Sequence, residues 1–148
     1  MIHNDFQMAI IMVFSGLLSS MYIWSDKLSD IRLSLNDLYM VTLMIFWMFF
    51  FMGLLSFNKN YVLYSSLAII MNLWFIRKQI FINKHQYFTG MIPHHSMAIL
   101  TSKRLLEKQK NLSQKEKEFV ESIIKTQENE IKTMKQFLKN NYNEYFIK

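Results

Sequence analysis

The residues with the clearest capacity for chemistry stand in residues 90–97, where two neighbouring histidines have a methionine on either side. Because a helix turns by about 100° per residue, Met91, His94 and His95 would share one helical face. Imidazole nitrogens and thioether sulfurs directed to one side suit copper, silver or a borderline metal such as zinc. Paired histidines near an interface are often only structural, so both interpretations stay open on spacing alone.

Composition limits the other kinds of chemistry. The chain has no cysteine, which excludes disulfides, thiolate metal sites and cysteine nucleophiles. A hydrophobic fraction of 51% with a charged fraction of 19% is unusual for a soluble domain. The net charge of +6 resides mainly in the second half of the 148 residues, so that half is expected to be the polar part of the molecule.

Three apolar segments within residues 1–80 predict a membrane region with three transmembrane helices, at about residues 6–24, 38–57 and 61–76. A helix of about 20 residues spans about 30 Å, the hydrocarbon thickness of a bilayer. The third segment is shorter, and Tyr61 and Trp74 would anchor it at the interfaces. A cleaved signal peptide is the alternative for the first segment, but no Lys or Arg precedes it and no typical cleavage site follows.

The positions of Lys and Arg predict the orientation. With the N-terminus outside, five basic residues near the helix ends face the cytoplasm and only Lys59 faces outward. The C-terminal domain, residues 81–148, is therefore expected on the cytoplasmic side.

A methionine stripe runs along the second predicted span, with one methionine every four residues, at Met40, Met44, Met48 and Met52. Such a stripe is ordinarily packing, because methionine is apolar and adaptable. Its spacing resembles the Met-x-x-x-Met pattern of the eukaryotic copper transporter family, in which a sulfur ladder could pass a soft ion. The third span lacks the Gly-x-x-x-Gly of that family, and conduction stays an open alternative.

Residues 81–148 have the amphipathic periodicity of two helices, which predicts a helical hairpin. Gly90 and Pro93 interrupt the first helix, so either a helix begins near Thr89 or a longer helix kinks there. A helix beginning there would favour the neutral imidazole that a metal needs at His94. Ser113 and Glu116 form a capping-box pattern at the start of the second helix.

Gln127 falls inside the apolar stripe of the second helix, and Glu130 lies at its edge. Buried polar side chains are costly unless they are paired. With the turn centred near Asn111, an antiparallel hairpin would place Gln127 opposite His95. These residues are then either partners in a structural hydrogen bond or part of a metal site.

Two linked motifs carry a family resemblance. The run Tyr87-Phe-x-x-Met91-Ile-Pro-His-His-Ser-Met-Ala98, followed by Ile124-x-x-Gln127-x-x-Glu130-Ile131-x-x-Met134, resembles the domain of unknown function 305 family, in particular its membrane-anchored members. The resemblance implies a ferritin-like helical fold, here a half-bundle related to the four-helix bundle, and some relatives bind copper or silver. It points to six metal ligands: Met91, His94, His95, Gln127, Glu130 and Met134.

The sequence thus predicts an all-α integral membrane protein whose hairpin binds a transition metal, preferably Cu(I), for sequestration or handover. The alternative is a membrane-anchored interaction or scaffold module without metal. We expect no enzymatic activity, because a carboxylate-bridged di-iron motif, a His-Glu-x-x-His motif and phosphate-binding glycine loops are all missing from the sequence. The expected partners are the lipid bilayer, the metal ion and further copies of the chain in a homo-oligomer. Nucleic acid is not expected, because the lysines alternate with glutamates.

Overall fold

The computed structural model describes the backbone of residues 2–146 and the side chains of residues 5–20 and 22–140. Every regular element within those ranges is helical, which confirms the predicted all-α class. The α-helices are α1 (Ile2–Leu18), α2 (Leu35–Leu55), α3 (Lys59–Lys78), α4 (Lys84–Lys108) and α5 (Gln114–Phe146). Two short 3-10 helices, Met21–Trp24 and Leu28–Asp30, lie between α1 and α2.

The helices form two compact units. Unit 1 contains α1, α2 and α3, and unit 2 contains α4 and α5. Residues Met21–Ser34, which connect α1 to α2, belong to unit 2. We call this segment the docking loop, because it packs on α4 although α2 and α3 separate it from α4 in sequence. The sequence-based division near residue 80 did not include this return of the chain.

Close backbone approach holds the helices of unit 1 together. A Cβ atom on Gly53 of α2 would lie 2.8 Å from Cβ of Tyr61 and 2.9 Å from the backbone nitrogen of Val62, so only glycine fits there. On α1, a Cβ on Gly16 would lie 2.9 Å from a methyl of Val41. The turn after α2 leads into α3, where the Asn58 side chain caps the new helix by accepting from the backbone N–H groups of Asn60 and Tyr61.

Neutral polar groups make the inner contacts of unit 1. The amide of Asn72, buried on α3, donates to the hydroxyl of Thr42 on α2 at 2.7 Å. The hydroxyl of Tyr39 donates to the carbonyl of Ile80 at 2.6 Å. These bonds tie α2 to α3 and to the chain that follows it.

Two helical segments are long and apolar enough to cross a membrane, Asp5–Trp24 and Leu35–Leu55. A core helix of a soluble protein passes the same test but is mostly buried, whereas only 6% and 22% of these windows are buried. A signal sequence near the N-terminus passes it as well, so two such helices are weak evidence for a membrane protein. They overlap the first two predicted spans, at about residues 6–24 and 38–57, but α1 itself ends at Leu18 and Met21–Trp24 belongs to the docking loop.

The prediction of three spans is not confirmed. Residues 61–76 do form most of α3, a helix of 20 residues, but α3 does not pass the same test of length and composition. The reason is its polar side: Ser65 and Asn72 are buried against the rest of unit 1, and Arg77 and Lys78 close the helix.

The four methionines of the α2 stripe differ in their exposure to solvent. Met40 and Met44 are about half exposed, at 52% and 47%, whereas Met48 and Met52 are partly buried. This pattern is typical of a helix side that turns gradually from the surface toward a neighbouring helix.

α4 begins at Lys84, where the Asn83 side chain accepts from the backbone N–H of Gln86 at 2.9 Å. It continues through Pro93 to Lys108. The predicted alternative of a helix beginning near Thr89 is therefore wrong, and the histidines lie inside the helix, far from its N-terminus. Because proline has no N–H, the carbonyl of Thr89 lacks its usual partner within the helix.

α5 begins as its capping box predicts. The backbone N–H of Ser113 donates to the carboxylate of Glu116 at 2.7 Å, and the Glu116 N–H donates back to the Ser113 hydroxyl at 3.4 Å. The hydrogen bonds from Ser113 lower the pKa of Glu116. α4 and α5 then share an apolar core, which comprises Ile92, Ile99, Ile131, Met134 and Leu138, with Phe88, Met91 and Ile124 packed against it.

Candidate metal centre in the helical hairpin

Two contacts define how α4 and α5 pack against each other. Nδ1 of His95 lies 3.0 Å from a carboxylate oxygen of Glu130. The rings of Phe88 and Phe137 lie 5.4 Å apart, centroid to centroid. Phe88 precedes His95 on α4, whereas its partner Phe137 follows Glu130 on α5. The two helices therefore run antiparallel, as predicted.

The same register places Met91 level with Met134, because both lie one helical turn from the contact between His95 and Glu130. Gln127 lies level with Ala98, one turn away on the other side. The sequence-based expectation paired His95 with Gln127, but the structure gives Glu130 as its partner. The difference of nearly one turn arises at the connection, since α4 ends at Lys108 and α5 begins at Gln114.

His95 is the most enclosed polar group of this set. Its side chain is 15% exposed, against 47% for Glu130. Nδ1 is buried and makes no aligned hydrogen bond, although the Glu130 oxygen is close. Glu130 is therefore the group that faces Nδ1, through its charge and through a poorly aligned hydrogen bond.

Burial also sets the protonation of His95. Removal from water lowers its pKa, the charge of Glu130 opposes that shift, and the neighbouring His94 adds to it. The net effect is a pKa below the ordinary histidine value, which favours the neutral ring at neutral pH. The neutral form arises from burial and not from a helix N-terminus, since α4 begins well before the histidines.

Met134 lies in the interior of the hairpin core, and Met91 lies at its edge. Met134 is 7% exposed and is part of the buried cluster, while Met91 is partly buried and packs against that cluster. Both thioethers are thus adjacent to the apolar interior, one turn from His95. Their first role is packing, and their sulfur atoms are the soft donors nearest the imidazole in this register.

His94 and Gln127 lie less centrally. His94 is exposed, and its ring stands edge-on to that of His95 with the centroids 6.1 Å apart. Gln127 is partly buried on α5. The structure therefore groups His95, Glu130, Met91 and Met134, with His94 beside them and Gln127 one turn away.

The His, Asp and Glu side chains near His95 do not form a complete metal site by themselves. Among the described side chains, no three of the His, Asp and Glu residues are close enough together to hold a metal ion. An ion at His95 would therefore need sulfur donors or donors from outside the chain to fill its coordination.

The sequence interpretation missed Ser96, which lies directly after the histidines and is fully buried. Its hydroxyl donates to the carboxylate of Asp30 in the docking loop at 2.8 Å. It also accepts from the backbone N–H of Asp26 at 2.9 Å. The sequence feature that could have identified it is the position of a serine in the buried apolar stripe between Ile92 and Ile99.

Asp30 is the acidic anchor of the docking loop, with 2% of its surface exposed. Lys135 of α5 forms an ion pair with it, and Lys103 of α4 pairs with Asp26 at 2.8 Å. Burial alone would raise the pKa of Asp30, but the hydrogen bonds from Lys135 and Ser96 outweigh burial and hold the pKa below its usual value. The docking loop is thus held to both hairpin helices by charge-assisted bonds.

Comparison with known proteins agrees with this architecture. The family model of the domain of unknown function DUF305 matches residues 83–144. The chain is 40% identical over 136 residues to the uncharacterized protein L153 of Acanthamoeba polyphaga mimivirus, and the alignment covers 88% of each protein. No solved structure matches the chain. The two family motifs both lie within unit 2, and the likeness to the viral protein extends through the helices before it. The chain therefore belongs to the DUF305 family.

Proposed function

We propose that the protein is a multi-pass membrane protein whose hairpin binds one soft transition-metal ion, preferably Cu(I), for sequestration or handover. The observation that carries the proposal is the buried Nδ1 of His95, which makes no aligned hydrogen bond and lies 3.0 Å from Glu130. Met91 and Met134 lie one turn away in the same register. His95 and these two methionines are the proposed principal ligands, with Glu130 and His94 completing the site and Gln127 orienting it.

The donor set decides which ion is favoured. Thioether and imidazole groups select Cu(I) and the chemically similar Ag(I), whereas carboxylates suit harder ions. The described residues offer no cluster of three His, Asp or Glu side chains, the donors that a harder ion would use most readily. Recruitment of Glu130 would admit Cu(II) or Zn(II) as weaker alternatives. The lowered pKa of His95 supports binding, since a metal needs the unprotonated ring.

The docking loop supports a specific membrane topology. It precedes α2, yet it packs on the hairpin that follows α3, so the loop and the hairpin share one side of any membrane. The chain between them must then cross an even number of times. If α2 spans the bilayer, α3 spans it as well despite its polar face, and the protein has three spans with a cytoplasmic hairpin. The buried placement of Ser65 and Asn72 permits such a span.

Topology is testable by single-cysteine labelling, because the natural chain has no cysteine. We expect Ser29→Cys and Asn111→Cys to react with an impermeant maleimide from the same side, and Ser56→Cys to react from the opposite side. Labelling of Ser29→Cys and Asn111→Cys from different sides would contradict the topology.

Metal binding is testable by elemental analysis and thermal unfolding of the full chain with Cu(I) or Ag(I). We expect about one ion per chain, and stabilisation of about 2.7 kcal/mol at a hundredfold excess over Kd. His95→Ala should abolish both effects. Met134→Leu conserves the packing volume and removes one sulfur, so it should weaken binding with little change in the metal-free protein. Met97→Leu is the matched control outside the site and should bind normally.

The rival function is a membrane-anchored scaffold module, and the contact between His95 and Glu130 also favours it as a structural link between helices. A scaffold predicts no thermal shift with Cu(I) or Ag(I), and equal behaviour of Met134→Leu and Met97→Leu. Either function leaves the protein without catalytic chemistry. Both include self-association, since α5 leaves Phe119 67% exposed and Phe137 47% exposed. Light scattering of the purified protein measures that state.

A further inference from the structure

Unit 1 has an open cavity of about 620 Å³, lined by residues of its three helices. This volume lies in the range of sites that hold small organic ligands. Five of its eleven lining residues are aromatic: Phe6, Phe46, Phe49, Tyr61 and Tyr64. The proposed metal site lies in unit 2, so the cavity is a separate feature.

The cavity has a polar end and an apolar end. Asp5 and Tyr61 lie at the polar end, where the tyrosine hydroxyl donates to one carboxylate oxygen at 2.5 Å. Ala9 and Ala68 line the part further along α1 and α3, and their small side chains leave the space open. A ligand matched to this lining has a polar head and a hydrocarbon tail.

The charge of the cavity lining indicates the chemistry of the ligand's polar headgroup. Among the described residues that line the cavity, Asp5 carries a formal charge and no Lys, Arg or His is present. The bond from Tyr61 occupies one acceptor position, and a carboxylate has several. The neighbouring aromatic faces also attract cations. A metal ion would find a single carboxylate, with only neutral side-chain oxygens from Asn58, Asn60 and Ser65 beside it, whereas an organic ammonium can use both the carboxylate and the rings.

We propose that this cavity binds an amphiphile with an ammonium headgroup, such as phosphatidylethanolamine. The headgroup nitrogen pairs with Asp5 and lies against the rings of Tyr61 and Tyr64. The hydrocarbon chain follows the lining past Ala9 and Ala68.

The test uses the full chain in nanodiscs of equal parts phosphatidylethanolamine and phosphatidylglycerol, with retained lipid counted by native mass spectrometry. The wild type should retain phosphatidylethanolamine in preference to phosphatidylglycerol. Asp5→Asn removes the charge that pairs with the ammonium and should weaken this retention about tenfold. Ala68→Phe fills the cavity and should remove retention without touching the charge. Asp37→Asn, a carboxylate of the same unit outside the lining, should behave as the wild type.

A second arm separates a lipid from a soluble amine. Octyltrimethylammonium should displace the retained lipid, and octyl sulfate, which has the same tail and the opposite charge, should not. Equal retention of the two lipids by the wild type overturns the proposal. A preference that survives both Asp5→Asn and Ala68→Phe overturns it as well.

Discussion

Unit 1 and unit 2 bury polar side chains in different ways. Between α2 and α3 of unit 1, neutral groups meet, as Asn72 meets Thr42. In unit 2, charges meet, as Asp30 meets Lys135 and Asp26 meets Lys103. A neutral hydrogen bond is tolerated even in hydrocarbon, whereas a buried carboxylate needs a charged partner or water nearby. This difference is the one expected under the proposed topology, with unit 1 in lipid and unit 2 in water, and the contacts of each unit can be perturbed separately.

The largest expected effect belongs to the buried charge of unit 2. Asp30→Asn keeps the size of the side chain but leaves Lys135 without its counter-ion. We expect a loss of about 3 kcal/mol, because breaking a buried ion pair strands the remaining charge. Hydrogen exchange should show the loss in peptides from α4 and α5 and not in peptides from α2 and α3. Glu121→Gln, at an exposed position on α5, is the control, and equal protection in both variants would refute the role assigned to Asp30.

The next effect belongs to the close packing of unit 1. Gly53→Ala places a methyl against the backbone nitrogen of Val62, so the helices must separate, at a cost of about 2 kcal/mol. Gly16→Ala meets only the Val41 side chain, with its two methyls at 2.9 and 3.1 Å, and gains helix propensity, so its cost should be smaller. Thermal unfolding ranks the two. An equal melting temperature would mean that α2 and α3 are not held in this close approach.

A smaller effect is expected from the neutral bond between α2 and α3. A double-mutant cycle with Thr42→Val and Asn72→Leu should give a coupling of about 0.6 kcal/mol, the average found for polar contacts between membrane helices. The corresponding cycle with Ser96→Ala and Asp30→Asn in unit 2 should give a larger value, because one partner is charged. A larger coupling energy for the unit 1 cycle than for the unit 2 cycle would contradict the proposed difference between neutral and charged contacts.

The smallest effect is the pH dependence that His95 gives to unit 2. Its pKa is lower in the folded protein than the ordinary value of 6.5, so the unfolded chain binds the proton more readily. The stabilisation is therefore complete above about pH 6.5 and is lost as the pH falls through the folded value. Hydrogen exchange of α4 and α5 should follow this trend, and His95→Gln should remove it. α2 and α3 contain no histidine and should not change in this window.

Local features of the fold were predictable because they depend on neighbouring residues. The capping box at Ser113 and Glu116 and the helical periodicity of α4 and α5 required nothing distant. The partner of His95 was predicted to within one turn, because it depends on how many residues the connection uses. The docking loop could not be predicted. Asp30 meets Ser96 from 66 residues away in a polar segment without periodicity, and no local pattern records such a contact.

The packing of the docking loop against α4 and α5 has a consequence for biosynthesis. Asp30 leaves the ribosome early, but Lys135 follows 105 residues later, after α2, α3 and α4 have been made. Under the proposed topology the carboxylate stays hydrated outside the bilayer during that interval, since its counter-ion does not yet exist. Ser96 and Lys103 of α4 are available to the loop before α5, so a chain that stalls at that point holds the loop on α4 but leaves Asp30 without its counter-ion.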